Sequence, residues 1–87
     1  DRIGLVNRVL PEAQLDAHVD DVVARIAAGP PLALSMSKAL LNQGSQMSMS
    51  QALEAEAATQ ATNFGTADTR EAARAWIEKR PPEFTGS

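Results

Sequence analysis

The sequence predicts an all-α fold of about four short helices, preceded by a short extended segment at the N-terminus. Apolar residues recur at helical spacing in successive windows, and glycine, proline or a capping pair separates these windows. The hydrophobic share of 44% is largely alanine, and the aromatic residues are Phe64, Trp76 and Phe84. Because alanine favours helix but contributes little buried area, we expect closely packed helices that take part of their core from another chain or domain.

The N-terminal segment lacks helical periodicity. Residues 3–10 form an apolar run rich in β-branched residues, which Pro11 closes, so we predict an extended segment or a single edge strand. The chain opens on Asp1 without an initiator methionine. We therefore expect it to be part of a longer polypeptide that carries further functional residues.

Proline and glycine delimit the first two helices. The first begins at Glu12 and ends before Gly29 and Pro30, which are typical C-terminal signals. Its apolar stripe at spacing i, i+4, i+7 and i+11 consists of Leu15, Val19, Val22 and Ile26. The second begins at Pro31, which suits a first turn because the nitrogen there needs no intrahelical partner, and stops at Gly44. The residues able to share one face of it are Leu32, Met36, Ala39 and Leu40.

Capping pairs mark the starts of the third and fourth helices. Ser48 with Gln51 is typical of a capping box, and Asp68 with Glu71 is predicted to cap the fourth helix in the same manner. The apolar stripe of the third helix is Met49, Leu53, Ala57, Ala61 and Phe64; that of the fourth is Ala72, Ala73, Trp76 and Ile77. Gly65 separates the two helices, and Pro81-Pro82 prevents the fourth from continuing.

Composition excludes several classes of function. The net charge is −3 with both signs interspersed, so there is no basic stripe for nucleic acid. No apolar run reaches membrane-spanning length and no signal-peptide pattern is present, which favours no membrane partner and a cytoplasmic location. The chain has no cysteine, and His18 alone cannot form a zinc site, so we predict no metal.

No set of residues predicts catalysis. Glu54 and Glu56 are two positions apart, so on a helix they point in different directions and do not form a carboxylate pair. His18 has no neighbouring nucleophile, the serines lack a nucleophile-elbow context, and the glycines of the helical region stand singly. The three methionines fill gaps in a core or form a pliable partner surface.

Lys79 and Arg80 have two interpretations. Cations in a last helical turn are favoured by the helix dipole and the free carbonyls. A lysine near a helix end is also a flexible point charge suited to a phosphate. The spacing of these residues does not decide between the helix-dipole interpretation and the phosphate-contact interpretation.

The C-terminal run FGTADTREAARAWIEKRPPEFTG, with the order of the segments before it, resembles the C-terminal part of the enoyl-CoA hydratase/isomerase family, the crotonases, over nearly the whole chain. The residues that match the family pattern are Thr66, Asp68, Glu71, Trp76, Glu78, Lys79, Arg80, Pro82 and Phe84. Ala72 stands where glycine is usual and Trp76 where phenylalanine is, and both substitutions keep a helix and an apolar contact.

The resemblance implies a spiral core of ββα units followed by a helical region that builds trimers, often paired into hexamers. Residues 1–11 would then be an extended linker from that core, and residues 12–87 a domain for oligomerisation and for covering coenzyme A. The oxyanion hole and the glutamates lie in the core, so no catalytic residue is carried over and the isolated chain is expected to be inactive. The implied whole protein hydrates 2-enoyl-CoA thioesters in fatty-acid metabolism, with the coenzyme A thioester as substrate and no separate cofactor.

The resemblance also implies two binding residues. Lys79 is expected to contact the coenzyme A phosphates. Phe64 lies where apolar residues line the acyl or adenine site, although simple packing at the end of the third helix explains it equally well. Trp76 and Ile77 are expected to pack inward. Two alternatives remain open: a stand-alone helical protein-interaction module, and a crotonase relative with isomerase or hydrolase activity.

Overall fold

The computed structural model describes residues 2–87 and confirms the all-α prediction. The helices are α1 (Glu12–Ala27), α2 (Pro31–Gly44), α3 (Met49–Phe64) and α4 (Ala67–Glu78). Residues 2–11 form turns, bends and irregular chain, so the alternative of an edge strand there is wrong. A single strand has no neighbour within the described residues to satisfy its backbone groups, which is why its β-branched composition alone does not produce one.

The capping box predicted at the start of α3 is confirmed. The Gln51 N–H donates to the Ser48 hydroxyl at 3.3 Å, and the Ser48 N–H donates to the Gln51 side-chain oxygen at 2.9 Å. Two of the unpaired donors at this helix end are thereby satisfied. At the start of α2, Pro31 occupies the first turn as predicted.

The predicted cap of α4 is wrong. Its N-cap is Thr66, whose hydroxyl accepts from the Thr69 N–H at 3.1 Å and donates to the Asn63 carbonyl at 2.8 Å. The carboxylates of Asp68 and Glu71 do not cap α4. They accept hydrogen bonds from backbone N–H groups of the segment that follows the helix. The physical reason is that Asp68 already lies inside the first turn, where a carboxylate is not placed to cap its own helix.

The helices form an open, flat arrangement with almost no interior. α2 packs on α3 and α3 on α4, whereas α1 has no comparable contact within residues 2–87. The radius of gyration is 16.4 Å, and a compact domain of this length has about 12 Å. The accessible surface is 7233 Å², against about 4,900 Å² for a compact protein of this mass. These helices therefore leave apolar faces uncovered.

The prediction that Trp76 and Ile77 of α4 pack inward is wrong for this chain. Trp76 is 85% exposed and Ile77 78% exposed, so neither packs inward in this chain. The buried apolar residue of α4 is Ala75, with 1% exposure. The small side chain on the inner face lets the C-terminal segment approach the helix closely, and the large side chains lie on the outer face.

None of the four described helices has the length and hydropathy that crossing a membrane would require.

Candidate functional site

The chain reverses direction at Lys79, directly after α4. Lys79 has φ 53° and ψ 42°, the left-handed conformation, and it is the one non-glycine residue with positive φ in residues 2–87. The Arg80 N–H donates to the Ala75 carbonyl at 3.0 Å, and the Lys79 N–H donates to the Trp76 carbonyl at 3.3 Å. This is the Schellman pattern, in which glycine is usual at the left-handed position. Lys79 thus lies just outside the last helical turn.

Residues 80–87, which we call the strap, run back along α4. The Arg80 guanidinium binds both carboxylate oxygens of Glu71, at 2.6 Å and 3.0 Å. Its Nε donates to Glu78 at 2.6 Å. A two-oxygen fork of this kind combines charge with fixed geometry. Arg80 is therefore committed to the two glutamates, and its charge serves the fold of the reversal.

The far end of the strap is fixed by Asp68, which is 3% exposed. Its two carboxylate oxygens accept from the Thr85 N–H at 2.7 Å and from the Gly86 N–H at 3.0 Å. The Ser87 carbonyl accepts from the backbone N–H groups of Ala67 and Asp68, at 2.6 Å and 3.1 Å. The strap thus satisfies donors in the first turn of α4 and binds that helix at both ends.

Glu71 joins the two halves of the strap. Its Oε1 accepts from the Glu83 N–H at 3.1 Å in addition to Arg80. The hydrogen bond from Arg80, followed by that from Glu83, lowers the pKa of Glu71 to about 2. The same pairing raises the pKa of Arg80, since both glutamates stabilise the charged guanidinium. Both groups stay charged at neutral pH.

The structure separates the two predicted binding residues from the strap network. Lys79 is exposed and forms no ion pair or side-chain hydrogen bond within residues 2–87. Phe64 is the last residue of α3 and is 64% exposed, so packing within this chain does not cover it. Phe64 and Lys79 lie at the ends of two different helices, α3 and α4, and both assignments stay predictions.

The described residues form several open grooves, of which two concern the α2–α3 pair and the strap. One, of about 520 Å³, lies between α2 and α3 and is mainly apolar; its lining is Ser37, Leu40, Leu41, Gly44, Met47, Ala52 and Glu56. The other, of about 260 Å³, follows α4 and the strap; its lining is Ala67, Asp68, Arg70, Glu71, Arg74, Glu83 and Thr85. Neither groove includes Lys79 or Phe64. Within residues 2–87, no group of three acidic or histidine side chains is placed to hold a metal ion.

Sequence reasoning missed the tasks of Asp68 and Glu71. Their spacing on α4 puts them one turn apart on one side, and they face a tail that carries Arg80 and free backbone N–H groups. One feature of the sequence could have indicated these contacts: Asp68, Glu71 and the residues of the tail all belong to the C-terminal motif that carries the family resemblance. The motif indicates that these two carboxylates matter, but it does not say which residues of the tail they bind.

Comparison with known proteins gives a consistent result. The family model described as enoyl-CoA hydratase/isomerase matches residues 1–87. The crotonyl-CoA hydratase of Syntrophomonas wolfei is 37% identical over 83 residues, which are 95% of this chain and 32% of the relative. The short-chain-enoyl-CoA hydratase of Clostridium acetobutylicum is 35% identical, over 94% of this chain and 31% of the relative.

Solved structures agree. The crystal structure of enoyl-CoA hydratase from Bacillus anthracis superposes with a TM-score of 0.92 at 28% identity, over 99% of this chain and 33% of that one. The chain thus spans about a third of the length of the relatives that it matches.

Proposed function

The chain belongs to the enoyl-CoA hydratase/isomerase family, and from that premise we propose that it is the C-terminal helical region of a cytoplasmic enzyme that hydrates 2-enoyl-CoA thioesters in fatty-acid metabolism. Residues 1–11 lead from a catalytic core, and residues 12–87 supply subunit contacts and part of the coenzyme A site. Hydration requires stabilisation of the thioester enolate and proton transfer. We assign both tasks to the preceding part of the polypeptide.

The uncovered apolar surface supports the assembly role. Leu15, Val19 and Ile26 of α1 are each about half exposed, and α1 packs on no other described helix to a comparable degree. These three residues belong to one apolar stripe, and a monomeric soluble protein seldom leaves a large contiguous apolar patch in water. The proposed cover is the enzyme's own core together with neighbouring subunits, in a trimer or a hexamer.

The exposed ammonium of Lys79 is the observation that carries the proposed coenzyme A contact. Arg80, the adjacent cation, is already paired with Glu71 and Glu78, whereas Lys79 has no partner within residues 2–87. A flexible point charge without an internal partner is suited to a phosphate. Lys79 lies one residue beyond α4, where its charge is still close to the C-terminal end of the helix dipole and its ammonium extends from the chain reversal.

Lysine substitutions test this contact. Coenzyme A binding to the full-length protein is measured by calorimetry, with Lys79→Ala as the variant and Lys38→Ala, the other lysine of the chain, as the matched control. An exposed charge–phosphate contact is worth about 1 kcal/mol, so the dissociation constant should rise about fivefold for Lys79→Ala. Equal affinities for wild type and Lys79→Ala would remove Lys79 from the site.

Phe64 is proposed to line the acyl or the adenine part of the same site. A Phe64→Ala variant that weakens binding of 3′,5′-ADP would assign it to the adenine part. A KM that rises only with longer acyl chains would assign it to the acyl part. Unchanged values for both ligands would mean that Phe64 only packs against the rest of the assembled protein.

Turnover distinguishes this proposal from its alternatives. The isolated chain and the full-length protein are assayed with crotonyl-CoA, and only the full-length protein should hydrate it. Activity of the isolated chain would contradict the division between core and helical region. Isomerisation or thioester hydrolysis by the full-length protein would keep the family and replace the reaction. A full-length protein that neither binds nor converts coenzyme A thioesters would favour the interaction module, with the apolar groove between α2 and α3 as its binding surface.

A further inference from the structure

The conformation of Lys79 requires support from its surroundings. A residue with a Cβ is disfavoured in the left-handed region, and glycine is the usual choice at this position of a Schellman motif. Lys79 nevertheless has φ 53°. Such an outlier persists only where neighbouring contacts determine the backbone.

The support comes from ion pairs on both sides of Lys79. Its two chain neighbours, Glu78 and Arg80, are joined at 2.6 Å, so an ion pair closes the reversal across Lys79. Arg80 is in turn held on Glu71, whose side chain is 18% exposed. Glu71 also accepts the backbone N–H of Glu83, which ties the following residues of the strap to α4. Lys79 is the apex of a reversal that is fixed before and after it.

We propose that Glu71, acting through Arg80, is a positioning residue that fixes the backbone from which the Lys79 ammonium reaches a ligand phosphate. This inference rests on the proposed function of Lys79. It extends the proposed function to Glu71 and Arg80, which touch no ligand but fix the backbone from which the cation extends. An ammonium on a fixed backbone loses less conformational freedom when it binds an anion.

Glu71→Gln separates positioning from simple electrostatics. Removing a negative charge near the site reduces its Coulomb repulsion with a phosphate, so electrostatics alone would leave phosphate binding unchanged or strengthen it. Loss of positioning weakens it, because the neutral amide of the substituted side chain cannot hold the guanidinium of Arg80 by a charged fork. The sign of the change in affinity therefore decides between the two accounts.

The experiment is a double-mutant cycle in the full-length protein, with coenzyme A as the probe and calorimetry at fixed ionic strength. An effect that acts solely through Lys79 cannot exceed the loss of Lys79 itself, so Glu71→Gln should weaken binding between about twofold and about fivefold. In a Lys79→Ala background the same substitution should have no further effect. We expect KM to rise and kcat to remain unchanged. Asp21→Asn, which breaks the exposed Asp21–Arg25 pair on α1, is the matched control and should leave affinity unchanged.

Each other outcome has a defined meaning. Unchanged or tighter binding by Glu71→Gln, or an equal loss in the Lys79→Ala background, would overturn the positioning role. If Lys79→Ala alone leaves the affinity unchanged, the proposed phosphate contact fails, and positioning fails with it. Where Glu71→Gln does not fold, Arg80→Lys serves instead, because it keeps the charge and loses the fork. It should weaken coenzyme A binding only when Lys79 is present, and unchanged binding would again refute positioning.

Discussion

Asp68 allows the sharpest prediction about the strap, through the substitution Asp68→Asn. Asp68 is 3% exposed, and its carboxylate accepts from two consecutive backbone N–H groups, at 2.7 Å and 3.0 Å. Asparagine has nearly the same shape but only one acceptor oxygen, so its amide group faces either the Thr85 or the Gly86 donor. One of these two partly buried donors then has no protein acceptor.

The magnitude follows from that lost bond. A hydrogen bond to a charged group contributes about 1.5–3 kcal/mol, and we take about 2 kcal/mol for the substitution. Opening of the strap should therefore become about thirtyfold more frequent. α3, which lies outside the strap, should keep its protection, because the opening is local.

Hydrogen exchange of the full-length protein measures this, in peptides that cover residues 80–87. Asp20→Asn is the control, since Asp20 is exposed on α1 and its side chain forms no hydrogen bond or ion pair within residues 2–87. Strap exchange in Asp68→Asn at the wild-type rate would refute the anchoring role. Equal acceleration in α3 and the strap would show that Asp68 stabilises the whole region and does not act as a local anchor.

Three further predictions concern the helix ends and the strap. Ser48→Ala should destabilise the start of α3 by about 1 kcal/mol, because the capping box loses its hydroxyl acceptor. Thermal unfolding measures this loss, with Ser45→Ala as the control. Since the pKa of Glu71 is lowered from 4.5 to about 2, its contribution is complete above pH 4.5 and is lost as the pH falls towards 2. Urea titrations across that range should show acid destabilisation that is smaller in Glu71→Gln, and identical pH profiles would contradict the ion pair. Lys79→Gly should slow hydrogen exchange in the strap, because glycine relieves about 1 kcal/mol of left-handed strain, and it should weaken coenzyme A binding, because the ammonium is lost. Faster strap exchange together with weaker binding would contradict the separation of backbone and charge at this residue.

The helices were predictable because their signals are local. Pro31 and the Ser48–Gln51 pair each affect the first turn of a helix, and the structure has both at the predicted helix starts. The family resemblance was likewise carried by short spacings around α4, which the comparisons confirm.

The partners of the α4 carboxylates were not predictable from local spacing. Asp68 binds Thr85, and Glu71 binds Arg80, only because the chain reverses at Lys79. Lysine gives no signal for a left-handed residue, whereas glycine would have. The exposure of Trp76 was missed for a related reason: periodicity identifies an apolar stripe but does not say which body covers it.

Sedimentation velocity of the isolated chain, residues 1–87, tests the central claim most directly, since it reports mass and shape together. These helices lack an interior of their own: within residues 2–87 the small Ala75 is the one buried hydrophobic residue, whereas Trp76 is 85% exposed. We therefore expect concentration-dependent self-association, or a monomer far more expanded than a folded domain. A 9.2 kDa monomer at every concentration, with the frictional ratio of a compact folded domain, would contradict this expectation.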